Sequence, residues 1–122
     1  MDDATRAGSP LLRISHRCVG TTHVIEVAGE VDAATAPELG RAAGPEFVDP
    51  AVAGLVVDLT GVGFIDSAGL TMLARLHSRT RERGAAFTVV AATHAVKRAL
   101  RITGLDELFT VASELDGDLR PE

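Results

Sequence analysis

Two stretches near the start of the chain alternate between apolar and polar residues with a period of two, which is typical of β-strands. They are LLRISHRCVG at 11–20 and THVIEVAG at 22–29, with a Gly-Thr-Thr turn region between them. In the second stretch Ile25 and Val27 share one face, because successive side chains of a strand point to opposite sides. The pattern therefore predicts a β-hairpin.

Short apolar runs and helical patterns alternate along the rest of the chain. LVVDL (55–59) and AFTVVAA (86–92) are typical of strands buried in a sheet that helices cover, and ELFTV (107–111) predicts a short final strand. The helical patterns cover 35–43, 67–83 and 94–103.

The first predicted helix has a specific start signal. Thr35 and Glu38 fit a capping box, in which a hydroxyl and a carboxylate bind the first free backbone N–H groups. Leu39 and Ala43 are one helical turn apart, so they are predicted to face inward.

The two later helices are also bounded by recognisable residues. Thr93 is the predicted N-cap of the last helix, and Gly84 and Gly104 are expected to end the two helices. The inward-facing residues are predicted from the helical period to be Met72, Leu73, Leu76 and Thr80, followed by Val96, Ala99, Leu100 and Thr103.

The resulting element order is β-β-α-β-α-β-α-β. Strands that alternate with helices after an initial hairpin predict an α/β fold, with a mixed sheet whose later strands are joined by parallel crossovers. A chain of 122 residues suits one domain. We expect this domain to cover 10–112, with a linker at 44–54, between a flexible N-terminal tail (1–9) and a polar C-terminal tail (113–122).

Composition excludes several classes of function. The formal charge of −5 disfavours nucleic acid as a partner. Cys18 is the only cysteine, so it has no partner for an internal disulfide and no metal-site spacing, and we expect it to be buried. The first ten residues are polar, unlike a signal peptide, and no apolar run approaches the ~20 residues of a membrane span. These features predict a cytoplasmic protein with neither a metal nor a membrane contact.

The stretch GVGFIDSAGL (61–70) places an acid and a hydroxyl, Asp66 and Ser67, where a strand gives way to a helix. Both side chains can accept hydrogen bonds from the free N–H groups of a helix N-terminus. The same position suits a phosphoryl group on Ser67, because a helix N-terminus carries partial positive charge. The cap and the phosphate acceptor are compatible interpretations.

Catalytic and nucleotide-binding interpretations fit this stretch less well. Ser67 lacks the G-x-S-x-G motif of a hydrolase, and His77 lies about 15 Å further along the same helix. The glycines match neither the P-loop nor the dinucleotide fingerprint. Asp58 ends a strand as a receiver-domain phosphoacceptor does, but no acidic pair follows the first strand. We therefore expect no enzymatic activity and no cofactor.

A second acid, Asp32, follows the second predicted strand in GEVD (29–32). It is either a cap or turn residue or part of a functional site. If the second and third strands are neighbours, Asp32 and Asp66 emerge at the same end of the sheet and flank Ser67 with negative charge. Such a site would repel an added phosphate, which is a useful property in a switch.

Three segments resemble, in sequence and spacing, the STAS domain of bacterial anti-sigma factor antagonists. They are GEVDAATAPEL, VVDLTGVGFIDSAGL and AVKRALRITGL, and the resemblance covers about 10–112. Its specific features are the D-S-x-G-L step after a VDL strand and the VKRxLxxTGL segment that follows. The resemblance implies a small mixed sheet with helices packed mainly on one side.

The resemblance also implies a mechanism. In that family the antagonist binds an anti-sigma factor that is also a serine kinase, which frees the sigma factor. The kinase phosphorylates the serine after the motif aspartate, the modified antagonist loses affinity, and a phosphoserine phosphatase restores it. By resemblance the phosphorylation site is Ser67, and the partner-binding surface contains Asp32, Asp66, Ser67, Ala68 and Gly69. Many relatives carry a second hydroxyl where this chain has Ala68.

Two binding functions remain open. The first is an antagonist that phosphorylation of Ser67 switches off. The alternative is a constitutive STAS interaction subunit of a stressosome-like or transport-associated assembly, in which Ser67 only caps its helix. In either case we expect the isolated protein to be a monomer.

Overall fold

The computed structural model describes residues 11–44 and 51–115. The predicted tail at 1–9, most of the predicted linker and the chain beyond 115 lie outside the described residues. In order, the elements are β1 (Leu12–Val19), β2 (Thr22–Val31), α1 (Ala36–Ala43), β3 (Gly54–Ile65), α2 (Ser67–Glu82), β4 (Ala86–Val90), α3 (His94–Thr103), α4 (Leu105–Leu108) and β5 (Thr110–Ala112).

The strands form one mixed sheet in the order β1-β2-β3-β4-β5. The hairpin strands β1 and β2 are antiparallel, and every other neighbouring pair is parallel. Parallel neighbours need crossover connections, and α1, α2 and α3 lie in these connections. The predicted α/β class and the mixed sheet are confirmed.

The three long helices cover one face of the sheet, as predicted. Their buried side chains share one apolar cluster with the sheet residues that point the same way. That cluster includes Leu39, Leu73, Leu76, Val96 and Leu100 from the helices and Ile25, Val27, Val57 and Val89 from the sheet. The opposite face carries a smaller cluster formed by Val24, Val56 and Val90.

The third strand is longer than the apolar run at 55–59 predicts. β3 continues through the glycine-rich segment to Ile65, because two register shifts keep it paired with β2. At the first shift a Cβ on Gly61 would lie 2.9 Å from the Cβ of Ala28, so this close approach requires glycine. The glycines therefore shape a bulged strand and extend it to the edge of the sheet where Ser67 lies.

The capping box predicted at the start of α1 is wrong. The hydroxyl of Thr35 makes no capping hydrogen bond to the helix. It accepts a hydrogen bond from the N–H of Asp32 (2.9 Å) and donates one to the carbonyl oxygen of Glu30 (2.8 Å). Thr35 therefore ties the end of β2 to the start of α1. Leu39 and Ala43 are fully buried, as predicted.

Two predictions near the end of the chain also need correction. Thr103 is exposed, and its hydroxyl donates to the carbonyl oxygen of Ala99 (2.7 Å) within the helix. The segment predicted as the last strand is only partly extended, because α4 forms one turn after Gly104 and β5 begins at Thr110. Gly104 ends α3 with a φ of +78°, a conformation that glycine adopts readily.

Cys18 is exposed, against the prediction of a buried thiol. It lies on β1, an edge strand in which only Leu12 is fully buried. Its Sγ lies 3.6 Å from Nδ1 of His23, and Nε2 of His23 lies 3.1 Å from Nδ1 of His16. Alternation in a strand predicts which face a side chain occupies, but not how far the helices extend over an edge strand.

Candidate functional site

The carboxyl ends of β2 and β3 meet at one edge of the sheet. Val31 and Ile65 are paired across these parallel strands, and the next residues are Asp32 and Asp66. The N–H of Asp66 donates to the carbonyl oxygen of Val31 at 3.1 Å, which holds the two strand ends together. The two acids therefore emerge at the same end of the sheet beside Ser67, as their positions in the sequence predict.

Asp66 is the N-cap of α2. Its backbone is extended, and its Oδ1 accepts hydrogen bonds from the N–H groups of Ala68 (2.9 Å) and Gly69 (3.2 Å). One carboxylate oxygen thus satisfies two of the four N–H groups that a helix N-terminus leaves unpaired. The cap is built from the acid and not from the neighbouring hydroxyl.

Ser67 is the first residue of α2, and its side chain is exposed. No hydrogen bond from its hydroxyl to another described residue is present. Because Asp66 performs the capping, the helix does not need the Ser67 hydroxyl. Sequence alone left the two side chains interchangeable as caps, and the structure assigns the cap to one of them.

Gly69 and Ala68 place the start of α2 against the sheet. A Cβ on Gly69 would lie 2.7 Å from Cγ1 of Ile65 and 2.8 Å from Cγ1 of Val31, so any larger residue would push the helix away. Ala68 is half-buried and packs against the main apolar cluster. These two residues hold Ser67 at a defined position relative to the sheet edge.

Asp32 forms a turn at the same edge. Its Oδ1 accepts hydrogen bonds from the N–H groups of Ala34 (3.0 Å) and Thr35 (3.1 Å), which is an Asx-type turn. The side chain is half-buried. Asp32 is therefore a turn residue in its local contacts, and it also adds a carboxylate to the edge on which Ser67 lies.

A shallow groove runs between α1 and α2 from the side of Ser67. Its volume is about 250 Å³. The helices approach closely here, since a Cβ on Gly40 would lie 2.9 Å from Sδ of Met72. The residues that line it are Ala33, Ala36, Pro37, Ala68, Thr71, Met72 and Arg75.

From the sequence, solvated surface is favoured over a partner contact for the face of α2 that carries Arg75 and Arg79, and Thr71 is not singled out. Thr71 and Arg75 are exposed on α2 and line the groove together with Ala68, the neighbour of Ser67. The signal was present in their spacing, because 67, 71 and 75 follow one another at four-residue intervals and side chains at that interval are neighbours on a helix.

His77 packs between two aromatic rings. Its ring centroid lies 5.8 Å from that of Phe87 and 5.7 Å from that of Phe109. The imidazole thus belongs to an aromatic cluster beside the C-terminal half of α2, away from Ser67. Within 11–44 and 51–115, no group of three or more His, Cys, Asp and Glu side chains could hold a metal ion. No helix in the same ranges is long and apolar enough to cross a membrane.

Two features point to the class of protein. They are the mixed five-stranded sheet with helices on one face and the Asp66–Ser67 step at the start of α2. A family profile for the STAS domain matches residues 13–117, and the chain belongs to that family. The resemblance inferred from the D-S-x-G-L and VKRxLxxTGL segments is thereby confirmed.

Within the family, this chain is similar to proteins named as anti-sigma factor antagonists. The chain is 36% identical over 92 residues to the anti-sigma-F factor antagonist RsfB of Mycobacterium tuberculosis, covering 75% of this chain and 74% of RsfB. It is 32% identical over 102 residues to the anti-sigma-B factor antagonist of Listeria monocytogenes, covering 80% and 89%. The crystal structure of an anti-sigma factor antagonist from Mycobacterium paratuberculosis superposes with a TM-score of 0.81 at 34% identity, covering 92% and 95%.

Proposed function

We propose that the protein is an anti-sigma factor antagonist that phosphorylation of Ser67 switches off. It binds an anti-sigma factor with serine kinase activity, and this binding releases the sigma factor. The names of its relatives support the antagonist role. The observation that carries the switch is the start of α2, where Asp66 caps the helix and the Ser67 hydroxyl is exposed.

A phosphate on Ser67 is compatible with the fold. Its hydroxyl is exposed and hydrogen-bonded to none of the described residues, so modification breaks no such bond there. The phosphate would lie at the N-terminus of α2, where the helix dipole favours negative charge. The effect of phosphorylation is therefore confined to the surface that the partner meets.

The same phosphate is unfavourable inside an interface. It adds about −1.5 to −2 charges at neutral pH, beside the carboxylates of Asp66 and Asp32. A partner that covers Ser67 without supplying a cation would have to desolvate this charge next to two acids. A few kcal/mol suffices for the switch, because about 1.4 kcal/mol corresponds to tenfold in affinity.

The covalent chemistry of the cycle belongs to the partners. The anti-sigma factor transfers the phosphoryl group to Ser67, and a separate phosphoserine phosphatase removes it. The contribution of this chain is to present Ser67 on a helix whose position Gly69 fixes against the sheet.

The test is phosphorylation by the anti-sigma factor of the same organism with Mg-ATP, followed by intact mass measurement. We expect one phosphate on the wild type and none on Ser67→Ala. Ser113→Ala is the matched control, because Ser113 is also exposed but lies after β5 and not on α2, and its removal should leave phosphorylation unchanged. A phosphate that persists on Ser67→Ala would contradict the assignment.

The same experiment separates the alternative function. A stable complex with a partner that lacks kinase activity, together with an unmodified Ser67 in cells, would indicate a constitutive STAS interaction subunit. In that case Ser67→Asp and wild type should bind the partner equally well.

A further inference from the structure

Charge is distributed unevenly along the chain. Residues 67–104, from the start of α2 to the end of α3, contain seven basic side chains and one acidic one, a net charge of +6. Since the whole chain carries −5, the remainder carries −11. The acidic total, which disfavours nucleic acid as a partner, conceals a basic pair of helices.

Arg75 and Arg79 lie one turn apart on α2, and both are exposed. Neither forms an ion pair with another described residue; the ion pair that is present on β1 and β2 joins Arg17 and Glu26. Like charges at this spacing weaken a helix slightly. The arrangement therefore does not serve the stability of α2, and both guanidinium groups are available to a partner.

Arg75 lies where two shallow grooves meet. The first is the groove between α1 and α2, which begins beside Ser67 and is lined mostly by apolar side chains. The second, of about 320 Å³, continues along the outer surface of α2. The residues that line the second groove are Thr71, Ala74, Arg75, Ser78 and Arg79. Arg75 thus extends the surface around Ser67 along the helix.

We propose that Arg75, with Arg79 beside it, anchors an acidic segment of the anti-sigma factor, and that an apolar side chain of the same segment enters the groove between α1 and α2. This inference rests on the proposed function, since it concerns the same partner at the same surface. Arginine suits the role because its planar guanidinium group pairs with carboxylates through two parallel hydrogen bonds. Arginine is also enriched among the residues that dominate binding energy in interfaces.

An acidic partner segment would add a second source of repulsion to the switch. Carboxylates held by Arg75 would lie on the partner surface that faces Ser67, so a phosphate on Ser67 meets negative charge from the partner as well as from Asp32 and Asp66. Attraction at Arg75 and repulsion at the phosphate are then opposite effects of one acidic surface. Both should weaken as salt is added, because the screening length falls from roughly 14 Å at 50 mM to about half of that at 200 mM.

The test measures the dissociation constant for the anti-sigma factor at 50 mM and 200 mM salt with unphosphorylated variants. We expect Arg75→Glu to weaken binding at least tenfold at low salt, and Arg75→Gln to weaken it less. Arg98→Glu is the matched control, because it makes the same charge change at an exposed position of α3 and should stay within twofold of wild type. The effect of Arg75→Glu should shrink at the higher salt concentration.

Thermal unfolding of each variant keeps the comparison interpretable, since Arg75 is exposed and its replacement should leave the midpoint unchanged. If Arg75→Glu binds within twofold of wild type while Ser67→Asp binds poorly, the acidic anchor is wrong and the proposed function stands. If the wild type neither binds nor is phosphorylated by the anti-sigma factor, both are wrong.

A different occupant of the basic surface would also overturn the inference. Duplex DNA and vesicles with anionic headgroups are the probes. Binding of either that is lost in Arg75→Glu, with the affinity for the anti-sigma factor unchanged, would assign Arg75 to that ligand instead.

Discussion

The helices α2 and α3 begin alike but use their first side chains differently. Each follows a parallel strand, and each has an extended N-cap residue, Asp66 in α2 and Thr93 in α3. The hydroxyl of Thr93 accepts a hydrogen bond from the N–H of Val96 (3.4 Å) and donates one to the carbonyl oxygen of Val62 (3.1 Å). At α2 a carboxylate does the capping, and the hydroxyl of Ser67 is left exposed. A hydroxyl is available for modification only where another group caps the helix.

The third residue of each helix differs as well. In α3 this residue is Val96, which is fully buried and fills the space above the sheet. In α2 it is Gly69, and the missing side chain lets the helix meet Val31 and Ile65 directly. The helix that carries Ser67 is thus held closer to the strand ends than a valine at this position would allow, which fixes the serine on a rigid element.

The largest effect on stability is expected from adding a side chain at Gly69, where α2 meets the sheet. Gly69→Ala should destabilise the protein by about 2 kcal/mol, because its Cβ would overlap Ile65 and Val31 and the helix start would have to shift. Urea unfolding measures the loss. Gly63→Ala is the matched control, since a Cβ at Gly63 meets nothing within 4 Å. Equal stability of the two variants would show that α2 has room to move.

The second-largest effect is expected on binding affinity, when a negative charge is added at the exposed Ser67. Ser67→Asp should weaken binding to the anti-sigma factor by about tenfold, or about 1.4 kcal/mol, since aspartate supplies part of the charge of a phosphate next to Asp66 and Asp32. Calorimetric titration measures the change. Ser113→Asp places the same charge after β5, outside the two grooves along α2, and a similar loss there would remove the special role of Ser67.

A smaller effect on stability tests whether Asp66 is the residue that caps α2. Asp66→Ala should cost about 1 kcal/mol of unfolding free energy, because two N–H groups of α2 lose their acceptor. Thr93→Ala should cost a similar amount at α3. Asp66→Asn should retain most of the stability, since asparagine caps about as well as aspartate. A full loss in Asp66→Asn would mean that the charge, and not the cap, stabilises the site.

Local patterns predicted most of the fold and the position of the site. The periodicity of the strands and helices was sufficient for the mixed sheet, and the positions of Asp32 and Asp66 after neighbouring strands placed both at one edge. These features depend on residues close in sequence or on general rules of parallel sheets. The D-S-x-G-L step then identified the family before any contact was known.

The features that sequence did not predict depend on the path of the backbone and on the contacts that this path creates. The predicted strand stops at Leu59 because the close approach of Gly61 to Ala28 is not visible in the sequence. The Thr35 hydroxyl is predicted as a cap because its hydrogen bond to the carbonyl oxygen of Glu30 is not visible either. The exposure of Cys18 depends on how the helices cover the sheet, which no local pattern reports. The same limit kept Asp66 and Ser67 indistinguishable as caps.

The smallest expected effect completes the comparison between the two helix starts. Ser67→Ala should change the unfolding free energy by less than about 0.5 kcal/mol, because the hydroxyl is exposed and hydrogen-bonded to none of the described residues. Thr93→Ala, which removes a hydroxyl that makes two hydrogen bonds, should cost more. Urea unfolding of both variants in one buffer measures the difference. If the two cost the same, the Ser67 hydroxyl contributes to the fold, and its phosphorylation would then disturb α2 itself and not only the surface that the partner meets.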